Sequence, residues 1–162
     1  MKKKKEALKE IISGHNIWYM FFHKHLYFID FPSQKLYKYE SNENASRVVH
    51  QNHITEKIYQ YVIDKDGDQF ITTENGLYRI KHGSNDSQQY SKIKLFRGMA
   101  LDNKGEAYFC GNHSIYACDK NTHTLEEVVH VRNVFGITFD GDGNIVYSDP
   151  KKIVKLLPGD CK

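Results

Sequence analysis

Three aromatic rings and one guanidinium recur at corresponding points along this chain: Trp18, Tyr59, Arg97 and Phe135. Rings stack on flat π faces, and an arginine attracts a carboxylate. Brought together, the four would suit a flat, anionic, aromatic ligand. The same side chains could instead wedge between elements as core, because aromatics dominate packing as readily as binding. The acidic run Asp64-Lys65-Asp66-Gly67-Asp68 resembles the start of a calcium loop. That loop needs Gly at its sixth position and Glu at its twelfth. Here Gly is fourth and the twelfth residue is Asn75, so a tight turn is expected and no metal site. His23 and His25 form a close pair, but a zinc site needs three or four ligands and the next carboxylate is Asp30. They read as solvated turn histidines. A nucleophile elbow and a phosphate loop are both missing from the sequence, so neither an enzyme nor a cofactor is expected. Cys110, Cys118 and Cys161 are too few for a disulfide scaffold and too far apart for a zinc motif. Cys110 and Cys118 fall in strand-like segments, where buried structural thiols are the default.

What must position these residues is a repeat. An Asp-x-x-Gly turn occurs at 64–67, 102–105 and 140–143, spaced 38 residues both times. Ile63, Leu101 and Phe139 precede it in register. Phe70, Tyr108 and Val146 keep the same spacing, as do Leu77, Ile115 and Ile153. Each unit reads as short strands: an inner strand ending at the Asp, a second after the turn, then a third and a fourth. A more diverged unit precedes them, with His23-Lys24-His25 in place of the turn. The fold expected is all-β: a β-propeller of about four four-stranded antiparallel blades, at roughly 15–52, 53–95, 96–131 and 132–162, either a small closed ring or part of a larger ring. A blade cannot bury both faces alone, so the core must lie between blades. The last unit ends after its third strand. Residues 7–12 read as a spare outer strand, either closing the final blade or ending an absent preceding one. In a propeller the inner strands line the central channel, which would bring Trp18, Tyr59, Arg97 and Phe135 to its mouth.

Composition narrows the function classes. The chain has 162 residues, 40% hydrophobic and 27% charged, which supports one folded domain. No apolar run approaches the ~20 residues of a membrane span. Without Lys2 to Lys5 the formal charge of +3 becomes −1, which argues against a nucleic-acid surface. Those lysines are followed by Glu6-Ala7-Leu8-Lys9-Glu10 where an apolar signal core would stand, so no export signal is expected in this chain. Asn44-Ala45-Ser46, Asn85-Asp86-Ser87 and Asn112-His113-Ser114 match the glycosylation sequon and lean toward an extracellular protein.

The ordered set Val134-Phe135-Gly136-Ile137-Thr138-Phe139-Asp140, Asn144-Ile145-Val146-Tyr147-Ser148 and Lys152-Ile153-Val154-Lys155-Leu156 resembles the ommochrome-binding proteins of moth haemolymph. Asn16-Ile17-Trp18-Tyr19-Met20-Phe21 continues the likeness. The resemblance implies a secreted, non-enzymatic carrier of tryptophan-derived phenoxazinone pigments. It also implies longer relatives with a signal peptide and further N-terminal repeats. It supplies no binding residues, so the aromatic column stands on the repeat alone. The function expected is binding of a small aromatic molecule. Two alternatives make different demands. A protein-interaction propeller needs an exposed apolar patch away from the channel. A metal-dependent lactonase needs acids converging on it.

Overall fold

The computed structural model describes residues 7–93 and 95–159. They form fifteen strands in four antiparallel sheets, and no helix among them is long and apolar enough to cross a membrane. The first sheet is β1 (Ile17–His23), β2 (His25–Asp30), β3 (Lys35–Ser41) and β4 (Ser46–His50), each paired with the next. The second is β5 (Gln60–Ile63), β6 (Gln69–Thr73), β7 (Gly76–Ile80) and β8 (Ser87–Ser91). The third is β9 (Phe96–Leu101), β10 (Ala107–Gly111), β11 (Ser114–Asp119) and β12 (Thr124–His130). The fourth has three strands: β13 (Gly136–Phe139), β14 (Ile145–Ser148) and β15 (Ile153–Lys155). These are consecutive β-propeller blades whose inner strands neighbour one another in the order β1, β5, β9, β13.

Strand periodicity explains where the core sits. Residues opposite each other across a ladder share a face. Tyr19 opposes Ile29 and Phe21 opposes Tyr27. This face of blade one packs on Tyr61, Ile63, Ile71 and Ile80 of blade two. The other face of blade two, with Val62, Phe70 and Leu77, packs on Phe96, Ala107 and Phe109. Cys110 and Ile115 then meet Ile137, Tyr147 and Val154. Phe70 and Phe109 are fully buried between blades. Each contributes about 1.5–3 kcal/mol through burial alone.

The turns follow one plan. Asp64, Asp102 and Asp140 each accept two backbone N–H bonds through Oδ1, from the residues two and four positions on. Gly67, Gly105 and Gly143 take up left-handed φ of 81–82° to close the loop.

One expectation is revised. Residues 7–12 form no strand. Ile11 lines a hollow beside Phe22 and Leu26, and the His15 ring packs on Phe28 and Tyr37. The fourth strand of blade two is β8, whose ladder with β7 slips between Leu77 and Tyr78.

Candidate functional site

Trp18 stands at an irregularity: the β1–β2 register shifts between Ile17 and Tyr19. Such a bulge re-aims the side chain beside it. The Trp18 ring leaves the pleat and stacks on Phe31, with centroids 4.4 Å apart and planes 22° from parallel. Phe31 is held opposite by its N–H, which donates to the Asn16 carbonyl at 2.9 Å. Tyr59 comes from the next blade, where its N–H donates to the Thr72 carbonyl at 2.9 Å. Gln34 ties the two blades together. The Ile58 N–H donates to the Gln34 carbonyl at 3.1 Å, and Gln34 Nε2 donates to the Ile58 carbonyl at 3.3 Å.

Between them lies a cavity of about 300 Å³. Trp18, Phe31 and Tyr59 supply its aromatic walls, buried Ile29 and Ile58 its apolar base, and Asp30 and Gln34 its polar groups. Trp18 is 69% exposed and Tyr59 is also open to solvent, so neither ring is core. Asp30 accepts the Asn16 N–H at 2.9 Å, and its other oxygen lies 3.6 Å from His15 Nδ1.

Arg97 and Phe135 form a separate pair at the starts of the third and fourth blades. The guanidinium carbon lies 4.4 Å from the Phe135 ring centroid, a cation–π contact. The Phe135 N–H donates to Ser148 at 2.8 Å. Gly98, beside Arg97, lets the blades close: a Cβ there would stand 2.8 Å from Cys110 Sγ and 3.7 Å from the Gly136 backbone. The four residues of the column therefore fall into two pairs: Trp18 and Tyr59 line this cavity, and Arg97 and Phe135 are not among its lining residues. Phe31 was missed from sequence: a β1–β2 register centred on Lys24 would oppose Trp18 to Asp30, and it is the shift between Ile17 and Tyr19 that accompanies the Trp18–Phe31 stack.

The acidic run has its own cation. Lys120 Nζ lies 2.8 Å from both Asp66 and Asp68 and also contacts Asp64. Asp68 further accepts Arg79 Nε and the His82 N–H, each at 2.8 Å. Among the described residues, no cluster of three metal-ligating side chains could hold an ion. Burial pushes the thiols of Cys110 and Cys118 up to about 11, and neither is in a disulfide. Such thiols are poor nucleophiles. Cys161 lies outside the described residues.

No family model matches this chain. It is similar to the ommochrome-binding protein of Manduca sexta, 24% identical over 153 residues, or 92% of this chain and 54% of that protein. The chain thus spans about half the length of the curated relative it matches. Among solved structures it resembles an auxiliary nutrient binding protein from Bacteroides ovatus, at 19% identity and TM-score 0.64, over 87% of this chain and 38% of that one. A catalytically inactive virginiamycin B lyase from Staphylococcus aureus matches at 11% identity and TM-score 0.62, over 96% and 60%. The WD40 β-propeller domain of Doa1 matches at 11% and 0.55, over 89% and 51%. Likenesses this remote carry the propeller fold alone. The likeness to the ommochrome-binding proteins extends over nearly the whole chain, well beyond the C-terminal blade where the motifs are densest.

Proposed function

We propose that this chain is a non-enzymatic carrier that binds a flat aromatic small molecule of the ommochrome class. The observation behind this is the cavity walled by Trp18, Phe31 and Tyr59, three accessible rings over an apolar base. Exposing a tryptophan face to water is unfavourable unless something covers it. A fused-ring chromophore would slide against that face and be lined by Tyr59 on the neighbouring blade. Asp30 and Gln34 offer polar partners to its edge. Arg97, flattened over Phe135, presents N–H groups for a ligand carboxylate.

The relative's name is that of a binding protein, and the acids that a lactonase would aim at a metal are here turned on Lys120. The relative and the sequons together favour an extracellular carrier.

Trp18 is the only tryptophan, so its fluorescence reports on the site directly. Titration with an ommatin should give saturable quenching. Trp18→Ala, followed by equilibrium dialysis, should lose about tenfold in affinity, roughly 1.4 kcal/mol. Arg97→Ala should weaken binding less. A folded protein showing no saturable quenching would overturn the proposal.

A further inference from the structure

The turns at one rim of the propeller change character from one blade interface to the next. Between blades two and three, the aspartates of the 64–68 turn meet Lys120, which follows the last residue of β11. His82 stands 38 residues before Lys120 and so holds the same repeat position in blade two. The blade-one turn beside it is His23-Lys24-His25, which carries no acid. One interface thus pairs a cation with carboxylates. At the next, the equivalent turn and the equivalent side chain are both donors.

A cleft of about 510 Å³ lies between those donors. Blade one lines it with His23 and Lys24, blade two with Tyr61, Gln69 and His82, and the linker between the blades with His53. Two further charges of the lining are already met: Lys65 Nζ lies 3.0 Å from Glu106, and Asp66 lies 2.8 Å from Lys120. Lys24 forms no ion pair among the described residues. Tyr61 is 1% exposed, and its hydroxyl donates to Gln69 Oε1 at 2.8 Å. His53 Nε2 lies 3.3 Å from the same oxygen. With that oxygen occupied, the Gln69 amide has its N–H groups left to donate. Burial pushes the Tyr61 phenol far up, so it stays a protonated donor. The His82 ring lies close over Gly67, where a Cβ would stand 2.7 Å from its Nδ1.

We infer that this cleft binds a phosphate group, free or carried on a small organic molecule. Its ammonium, imidazole and amide donors come from two blades and their linker, and a tetrahedral oxyanion accepts from several directions at once. The anion supplies here the negative charge that three aspartates supply at the next interface. The cleft is roomier than one phosphate needs, and Ile63 and Tyr27 give it an apolar wall for the organic part of an ester. This site is separate from the aromatic cavity. Trp18 and His23 stand near opposite ends of β1, about 16 Å apart along an extended strand.

Isothermal titration of the full chain with inorganic phosphate and with glycerol phosphate, in a phosphate-free buffer of low salt, tests this. Both should saturate at one per chain. Tighter binding of glycerol phosphate assigns the site to a phosphate ester, and equal binding assigns it to free phosphate. Lys24→Asp should weaken both by about tenfold or more, because it replaces a cation with an anion. His82→Ala should weaken them by about threefold, through loss of one donor. Lys24 and His82 are exposed, and Asp tolerates the left-handed φ of 59° at position 24, so both variants should stay folded. Trp18→Ala should bind phosphate as the parent does, whatever becomes of the aromatic cavity. Titration that does not saturate by tens of millimolar overturns the inference. So does binding that survives Lys24→Asp and His82→Ala undiminished, since the phosphate would then sit elsewhere.

Discussion

Lys120 is the cation that the acidic run faces. Asp64 and Asp68 are 2% and 3% exposed, so their charges must be met inside the protein. Burial would raise Asp68, but Lys120, the His82 N–H and Arg79 outweigh it and hold the carboxyl down at about 2. Burial would lower the Lys120 ammonium, and the three aspartates reverse that and push it above its ordinary range. Lys120→Met should cost about 3–5 kcal/mol in urea unfolding, because it strands buried carboxylates. Direction with pH provides a second check. A depressed carboxyl contributes stability that is complete above its unfolded value near 4 and is lost as pH falls toward 2. The parent should therefore weaken across that window. The deficit of Lys120→Met relative to the parent should shrink over the same range, as its unpaired acids take up protons. Nothing in the local sequence around Asp64 points to a lysine more than fifty residues away, so this contact was not legible.

At the scale of the element, the Asp-x-x-Gly turn was legible because all of its bonds are local. One aspartate oxygen takes two backbone N–H groups, and one glycine absorbs the positive φ. Its second role was not legible: successive turns touch across blades. The Lys65 N–H donates to Gly105 at 2.8 Å, and Asn103 Nδ2 donates to Asp140 at 3.1 Å. Gly105→Ala should therefore destabilise by about 1–2 kcal/mol, from left-handed strain and crowding together. Its φ is 82°, and the new Cβ would stand 2.9 Å from Lys65 Cβ. Gly141→Ala is the control, with no positive φ and nothing within 4 Å. It should be neutral or stabilising by about 0.4–1 kcal/mol. Thermal melts of the two variants should separate in opposite directions from the parent.

For the whole molecule, blade order and the placement of the core followed from the 38-residue register, since a stack of blades repeats the same contact. Phe70 and Leu77 were identifiable as interior by that logic. The same logic could not tell that Ile153 would be exposed, because burial depends on a neighbour that the register does not supply. Nor could it foresee that Arg97 would settle on Phe135 while Trp18 and Tyr59 flank a cavity, since pairing within the column depends on how tightly each pair of blades closes. Stability in such a stack is the sum of nearest-neighbour interfaces, so protection should rank with the number of covered faces. Strands β6 and β10 have a partner on each side and a blade on each face. Their amides should exchange last. Strand β4 is an outer edge with most side chains in water, and its amides should exchange first. Blade four, whose Ile153 is 78% exposed, should exchange ahead of the corresponding strands of blades two and three. Hydrogen exchange read by mass spectrometry, peptide by peptide, resolves that contrast. Uniform protection across the four blades would mean that the number of covered faces does not set local stability.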